Sequence, residues 1–184
     1  TLVGYTRNDL DYWTESLARS LRSIGIGDDD TLQISYGYGL FTGGLGLHYG
    51  AEKVGAAALP TGTGSTERQL ELMQDLEVTA IACTPSYFVH IIDVAEKMGI
   101  DFRKDTKLKK AILGAEPWTE GMRDRIEERS GVRAYNIYGA SELAGPMFTE
   151  CEERSGIHIG GDIAYIETVD PATGEVLEDG EEGE

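Results

Sequence analysis

From residue 31 to residue 138 short apolar segments alternate with amphipathic helical patterns, and each apolar segment runs out into a loop rich in Gly, Ser, Thr or aromatic residues. Strands separated by helices are joined by right-handed crossovers, so the pattern predicts an α/β fold: a parallel sheet of βαβ units with helices on both faces. In such a sheet a ligand lies off the carboxyl ends of the strands. The loops opening at Tyr36, Thr61, Thr84, Gly114 and Tyr138 are therefore where a site would be assembled.

The individual elements follow from periodicity and punctuation. A helix starts near Thr6, where Thr6-x-x-Asp9 fits a capping box; it sets Leu10, Trp13, Leu17, Leu21 and Ile24 on one face and stops at Gly25. Strands are expected over residues 31–35, 56–60 (a short buried strand), 80–83, 110–113 and 133–138. Helices are expected after the loop ending at Gly44, through His48 to about Val54, over 66–76 with Leu70 and Met73 turned inward, over 86–98 before Gly99, and over 119–130. The α/β part is placed at residues 1–148. From 149 to 184 the pattern is loop-rich, with strand-like alternation over 163–169 and a turn over 170–174, and reads as the start of a smaller β-rich subdomain. Residues 1–5 look like the middle of a strand and residues 178–184 could lead into another, so both ends read as cut.

Composition narrows the partners. At 184 residues, 40% hydrophobic and 27% charged, the chain is long enough for a packed domain. The 16 Lys and Arg against 33 Asp and Glu give a net charge of −17, which repels nucleic acid and anionic lipid. The same field opposes an anionic ligand such as ATP, which would need a metal ion, backbone N–H groups or cations from outside this sequence. Cys83 and Cys151 make no disulfide framework, no apolar run approaches membrane-spanning length and no basic-then-apolar leader is seen, so the expected location is cytoplasmic.

Common catalytic signatures fail. His48, His90 and His158 accompany many serines and acids, but there is no Gly-x-Ser-x-Gly elbow for a hydrolytic triad. A Gly-x4-Gly-Lys-Ser/Thr phosphate loop is absent, and Gly62-x-Gly64-x-x-Glu67 lacks the last glycine of the dinucleotide fingerprint, which disfavours a dehydrogenase.

Three loops do match one family. Residues 36–44 (Tyr-Gly-Tyr-Gly-Leu-Phe-Thr-Gly-Gly), 114–118 (Gly-Ala-Glu-Pro-Trp) and 136–142 (Asn-Ile-Tyr-Gly-Ala-Ser-Glu) resemble loops of the phenylacetate–coenzyme A ligases, within the adenylate-forming superfamily. Residues 83–87, 151–153 and 170–175 add to the resemblance, in the same order over essentially the whole chain. What it implies is an AMP-forming ligase. ATP and an aromatic acid, phenylacetate first and a substituted phenylacetate or benzoate next, would give an acyl-adenylate that coenzyme A converts to a thioester, with Mg²⁺ neutralising phosphate charge.

By the same resemblance, Glu142 would bind Mg²⁺ and Ser141 would contact the phosphate or the reacting carboxylate. Tyr138 would stack on adenine, with Gly114, Ala115, Glu116, Pro117, Asn136 and Gly139 completing the nucleotide pocket. Tyr36, Tyr38, Phe41, Gly43, Gly44 and Ala140 would wall the aryl acid, although Tyr36 and Phe41 could equally fill core. Residues 138–142 also suit a simple glycine cap leading into a capped helix, and His48 suits a structural role. Cys151 and His158 would be half of a structural zinc site, or else a buried thiol and an exposed imidazole.

Parts that the resemblance calls for lie outside this sequence: a phosphate loop before Thr1, a ribose-binding Asp beyond Glu184, and a mobile C-terminal domain with a catalytic Lys. The fragment alone is expected to be inactive, and a homodimer is one assembly open to the full-length form. Ala140 stands where the family usually has Leu, and Gly160 and Gly161 replace bulkier residues, which leaves the acyl substrate open. The competing class is a non-catalytic α/β domain that binds small molecules or serves as an interaction module.

Overall fold

The computed structural model describes residues 2–39, 42–143 and 145–184. Helix α1 (Arg7–Ser23) leads into strand β1 (Thr31–Ile34), helix α2 (Thr42–Val54), strand β2 (Ala57–Leu59) and helix α3 (Thr66–Asp75). Strand β3 (Ala80–Cys83), helices α4 (Pro85–Met98) and α5 (Phe102–Asp105), strand β4 (Lys110–Gly114) and helix α6 (Glu120–Ser130) follow. The last regular elements are β5 (Arg133–Ala140), a 3₁₀ turn (Ser141–Leu143) and β6 (Gly145–Thr149).

The strands form one six-stranded sheet in the order β2-β1-β3-β4-β5-β6. The pairs from β2 to β5 are parallel, and β6 returns antiparallel on β5 with a register shift at Tyr138 and Gly139. The chain runs outward from β1 to β2 and then crosses back to β3. The order therefore reverses between β1 and β3, which makes a topological switch point of the sheet there.

Alternate residues of each inner strand feed opposite cores. Ala80, Ala82 and Ile112 face α1 and α2 with Trp13, Leu17 and Leu47, whereas Ile81, Cys83, Ala111 and Leu113 face α3, α4 and α6 with Met73, Phe88, Ile91 and Ile126. Each fully buried Leu, Ile or Phe contributes about 1.5–3 kcal/mol of transfer free energy. Phe88, fully buried on α4, is a position where truncation to Ala would cost about 3–5 kcal/mol. Helix α2 lies against α1 more closely than side chains would allow. A Cβ at Gly46 would stand 2.7 Å from the Trp13 ring and one at Gly50 would stand 2.7 Å from Leu17 Cβ, so only glycine permits that approach.

Local sequence explains most boundaries. Thr6 and Asp9 make both halves of the capping box, and Gly99 and Gly131 end α4 and α6 in the left-handed conformation. Several expectations are corrected. Residues 2–5 are not a strand. Segment 56–60 forms a strand over only Ala57–Leu59, and as the sheet edge it is partly exposed rather than buried. Leu10 is exposed at the open end of α1. Gly145–Thr149 is a strand where a loop-rich change of character was expected nearby, and α5 was not foreseen. Over 163–169 no strand forms; the segment is held by the isolated bridge of Val169 with Val176 and by backbone bonds from the Leu177 N–H to the Thr168 carbonyl and between Val169 and Glu184. No helix among the described residues is long and apolar enough to cross a membrane.

Candidate active site

The carboxyl ends of β4 and β5 are pressed together. A Cβ on Gly114 would fall 2.2 Å from the Ile137 carbonyl oxygen, so glycine at 114 is required by the neighbouring strand itself. Directly after it Ala115 takes a φ of 69°, which costs a non-glycine residue of order 1–3 kcal/mol and turns the chain sharply outward. Glu116 then accepts from the Ser86 backbone N–H at 2.6 Å, tying the loop to the N-terminus of α4 where an anionic group is favoured. Trp118 reaches back to β5, its indole N–H donating to Oδ1 of Asn136 at 3.0 Å.

Two cavities open on either side of this turn. One, about 480 Å³, is walled by residues 115–118, residues 136–139 and Ile157. The other, about 270 Å³, is walled by Tyr36, Thr42, Gly43, Ala115, Ile137, residues 139–142, Gly145 and Pro146. Ala115, Ile137 and Gly139 line both, so the cavities share one wall. Within the first, Tyr138 is 58% exposed and its ring lies over Phe148, with centroids 6.4 Å apart and planes 15° from parallel. That leaves one flat aromatic face open.

Tyr36 is buried, and its hydroxyl donates to the Cys83 carbonyl at 2.6 Å and lies 3.3 Å from the Gly114 carbonyl. Burial pushes both the Tyr36 phenol and the Cys83 thiol well above their ordinary pKa values. With its hydroxyl so engaged, Tyr36 offers the smaller cavity the apolar body of its ring. Tyr36 thus fills core and walls the cavity at once.

Other residues singled out from sequence sit elsewhere. Tyr38 lines neither cavity; its hydroxyl is 3.3 Å from Nδ1 of His48, and burial raises its pKa to about 12. His48 in turn lies 3.7 Å from Glu52, one helical turn on. Gly44 is buried behind the wall, where a Cβ would stand 3.0 Å from the Gly37 carbonyl oxygen. Phe41 lies outside the described residues. Cys151 is half-buried, and the His158 backbone N–H donates to the Thr149 carbonyl at 2.9 Å. Among the described residues no group of three or more His, Cys, Asp or Glu side chains is placed to hold a metal ion.

Ser141 and Glu142 occupy the 3₁₀ turn that joins β5 to β6 rather than a longer helix. The Ser141 carbonyl accepts from the Tyr5 hydroxyl at 3.1 Å, and burial together with the Glu142 and Asp9 carboxylates holds the Tyr5 phenol above its ordinary value. Glu142 lines the smaller cavity and also a third one of about 400 Å³ beneath residues 3–5, Trp13 and residues 162–164. Thr42 and Ile137 lie inside the quoted loops but were given no role, and Pro146 lies outside them; apolar and hydroxyl side chains carry no chemical signal of their own.

A mostly parallel sheet flanked by helices, with two cavities sharing a wall at its strand exits, defines an α/β domain of the kind that carries ligand sites off the carboxyl ends of its strands. The chain belongs to the AMP-binding enzyme family, whose model matches residues 38–184. Over its whole length it is 51% identical to the phenylacetate–coenzyme A ligase of Aromatoleum evansii and 46% identical to that of Escherichia coli (strain K12). It spans 42% and 43% of the length of those relatives. Among solved structures, 97% of the chain superimposes on 40% of a 2-hydroxyisobutyryl-CoA ligase in complex with 2-HIB-AMP and CoA, at 29% identity and a TM-score of 0.89. A benzoate CoA ligase from Burkholderia xenovorans LB400 shares the fold at 18% identity and a TM-score of 0.76.

Proposed function

We propose that this chain supplies the nucleotide and aryl-acid cavities of an AMP-forming acid–thiol ligase, with phenylacetate as the first acid to test. The observation that carries the reading is the shared wall: Ala115, Ile137 and Gly139 separate a cavity with an open aromatic face from a smaller one lined by Tyr36, Gly43, Ser141 and Glu142, by a single layer of residues. Two substrates bound there would meet at the gap beside Gly139, where effective concentration does much of the catalytic work.

In this reading adenine lies on the open face of Tyr138, between the loop of Gly114, Ala115, Glu116 and Pro117 and the edge at Asn136 and Gly139. The aryl ring enters beside Tyr36, Gly43 and Ala140, residues that present ring face and little bulk. A carboxylate oxygen of the acid attacks the α-phosphorus of ATP, the bond to the bridging oxygen breaks and pyrophosphate leaves. The sulfur of coenzyme A then attacks the acyl carbon, the thiol proton is released and AMP departs. The protein contributes no nucleophile. Ser141 donates to the oxygens of the reacting groups, and Glu142 turns its carboxylate to the same cavity.

Mg²⁺ fits that position, since one carboxylate plus phosphate oxygens and water suits an ion that gives up its hydration reluctantly. Bound there, it would supply the positive charge that a chain of net charge −17 lacks. Zinc does not fit on these residues alone: Cys151 and His158 are two donors of the four that a structural site needs, and no step is routed through them. A cytoplasmic location and a small-molecule rather than nucleic-acid partner complete the proposal.

Pyrophosphate release from ATP in the presence of phenylacetate, coenzyme A and Mg²⁺, measured on the whole protein, tests it. Pyrophosphate release should require ATP, phenylacetate and Mg²⁺, with coenzyme A needed for thioester formation and continued turnover, and Glu142→Gln should lower kcat by about 10²-fold or more by removing charge needed only at the reacting phosphate. Thioester formation without ATP, or aryl-acid binding with no adenylation, would refute the ligase reading in favour of another enzyme or a binding module.

A further inference from the structure

The smaller cavity takes part of its wall from the two ends of one loop: Tyr36 comes from the exit of β1, and Thr42 and Gly43 from the first turn of α2. Residues 35–39 form neither strand nor helix, so something other than a regular backbone ladder must fix that loop. Its start is pinned by the Tyr36 hydroxyl on the Cys83 carbonyl, and Gly37 is pressed on Gly44, where a Cβ would stand 3.0 Å from the Gly37 carbonyl oxygen. Tyr38 comes next and lines neither cavity. Its hydroxyl lies 3.3 Å from Nδ1 of His48 on α2, with the two rings edge to face and their centroids 5.8 Å apart.

His48 is itself held. Its ring stands edge-on to Tyr49 at 6.0 Å, and Tyr49 stands edge-on to buried Trp13 of α1 at 6.4 Å. On its other side Nε2 lies 3.7 Å from the Glu52 carboxylate, one turn on. A neutral imidazole carries its proton on one nitrogen and leaves the other as an acceptor. The carboxylate draws that proton to Nε2, because a lone pair facing it would be repelled. Nδ1 is then the acceptor and the Tyr38 hydroxyl the donor, a role that burial suits by raising the phenol pKa to about 12. The contacts thus run from α1 through Tyr49 and His48 to the loop, and reach the cavity only through the loop's position.

We propose that His48 is a positioning residue for the aryl-acid end of the site: by accepting from the Tyr38 hydroxyl it holds the loop between β1 and α2, and with it the spacing of Tyr36 and Gly43 across the smaller cavity. The inference rests on the reading of that cavity as the aryl-acid site. His48 lines neither cavity and acts through the loop alone. Its effect falls on the acid rather than the nucleotide, because none of Tyr36, Thr42 and Gly43 lines the larger cavity. A wall held in its binding geometry before the ligand arrives spares the cost of ordering it at the moment of binding.

His48→Leu deletes the acceptor and keeps a side chain of similar bulk. On the whole protein, in pyrophosphate release with coenzyme A and Mg²⁺ present, KM for phenylacetate should rise about fivefold, the factor that one neutral hydrogen bond supplies. KM for ATP and kcat should stay within about twofold of their original values, since neither the nucleotide cavity nor the reacting groups are touched. Tyr38→Phe removes a single hydroxyl and leaves both rings; it should raise KM for phenylacetate by the same factor, and the two substitutions together should do no more than either alone. His48→Asn, whose amide oxygen can stand close to where Nδ1 stood, should restore most of the loss. An unchanged KM for phenylacetate in Tyr38→Phe, an equal rise in KM for ATP, additive effects in the double variant, or no recovery with His48→Asn overturns the inference and leaves the ligase reading standing. If the unsubstituted protein releases no pyrophosphate, the ligase reading fails and takes this inference with it.

Discussion

Arg123 and Glu150 meet end to end in the interior, two guanidinium nitrogens against two carboxylate oxygens at 2.9 and 2.8 Å, with both side chains less than a tenth exposed. The pair joins α6 to the segment after β6, and through Asn136 to the middle of β5. Desolvation works against the Arg123 charge, but the Glu150 and Glu120 hydrogen bonds overcome it and hold the guanidinium above its ordinary pKa.

Breaking that pair should be costly in a way that its exposed counterpart is not. Glu150→Ala leaves the buried Arg123 cation with only the exposed Glu120 as a charged partner and should lower stability by about 3 kcal/mol. Glu120 also touches Arg123, yet its side chain is 80% exposed, and Glu120→Ala should change stability by less than about 0.5 kcal/mol. Urea titration of the two variants decides whether burial makes the difference.

Alkali should destabilise the protein through Tyr36. Its folded-state pKa lies above the ordinary value, so its contribution is complete below about pH 10 and is lost as pH rises beyond that, while the unfolded phenol ionises. Tyr36→Phe should cost about 1 kcal/mol at pH 8 through the lost bond to the Cys83 carbonyl, and should flatten the decline of melting temperature above about pH 10. An alkaline decline as steep as in the unsubstituted protein would show that other groups govern it.

Ala115 holds a left-handed backbone conformation on the wall that the two cavities share. Ala115→Gly removes the Cβ strain and should stabilise the fold by about 1 kcal/mol, net of the extra entropy of the unfolded chain. Because the same change loosens the wall, KM for both ATP and the aryl acid should rise. Gains in both stability and affinity would mean the strain serves no positioning role.

Gly114→Ala should act in the opposite direction on stability. Its Cβ would fall 2.2 Å from the Ile137 carbonyl oxygen, a backbone atom that cannot step aside, and should force β4 and β5 apart at a cost of about 2–3 kcal/mol. Thermal unfolding measures it; a shift under about 2 °C would show that the strand ends are less tightly pressed than the geometry indicates.

How much of this could be read from the sequence varied with the range of the interaction. The parallel strand–helix alternation, the capping box of Thr6 and Asp9, and the glycine stops at 99 and 131 were legible because each depends on residues within one turn or one strand of each other. The edge position of β2 and the return of β6 were not, since exposure and antiparallel pairing depend on which strands lie beside a segment rather than on its own pattern. The close approach of Gly114 to the Ile137 carbonyl, twenty-three positions on, was not legible either, since it depends on how β4 and β5 pack side by side.

The order of residues by itself determined the class of fold, the loops that could carry a site and the residue types within them, because periodicity and chain punctuation are local properties. Only the tertiary structure decided that the turns after β4 and β5 share a wall, that the Tyr36 hydroxyl is committed to Cys83, and that Tyr38 turns away to His48. Those outcomes depend on close packing between segments far apart in the chain, where a contact forms only if shape and hydrogen bonding agree on both sides.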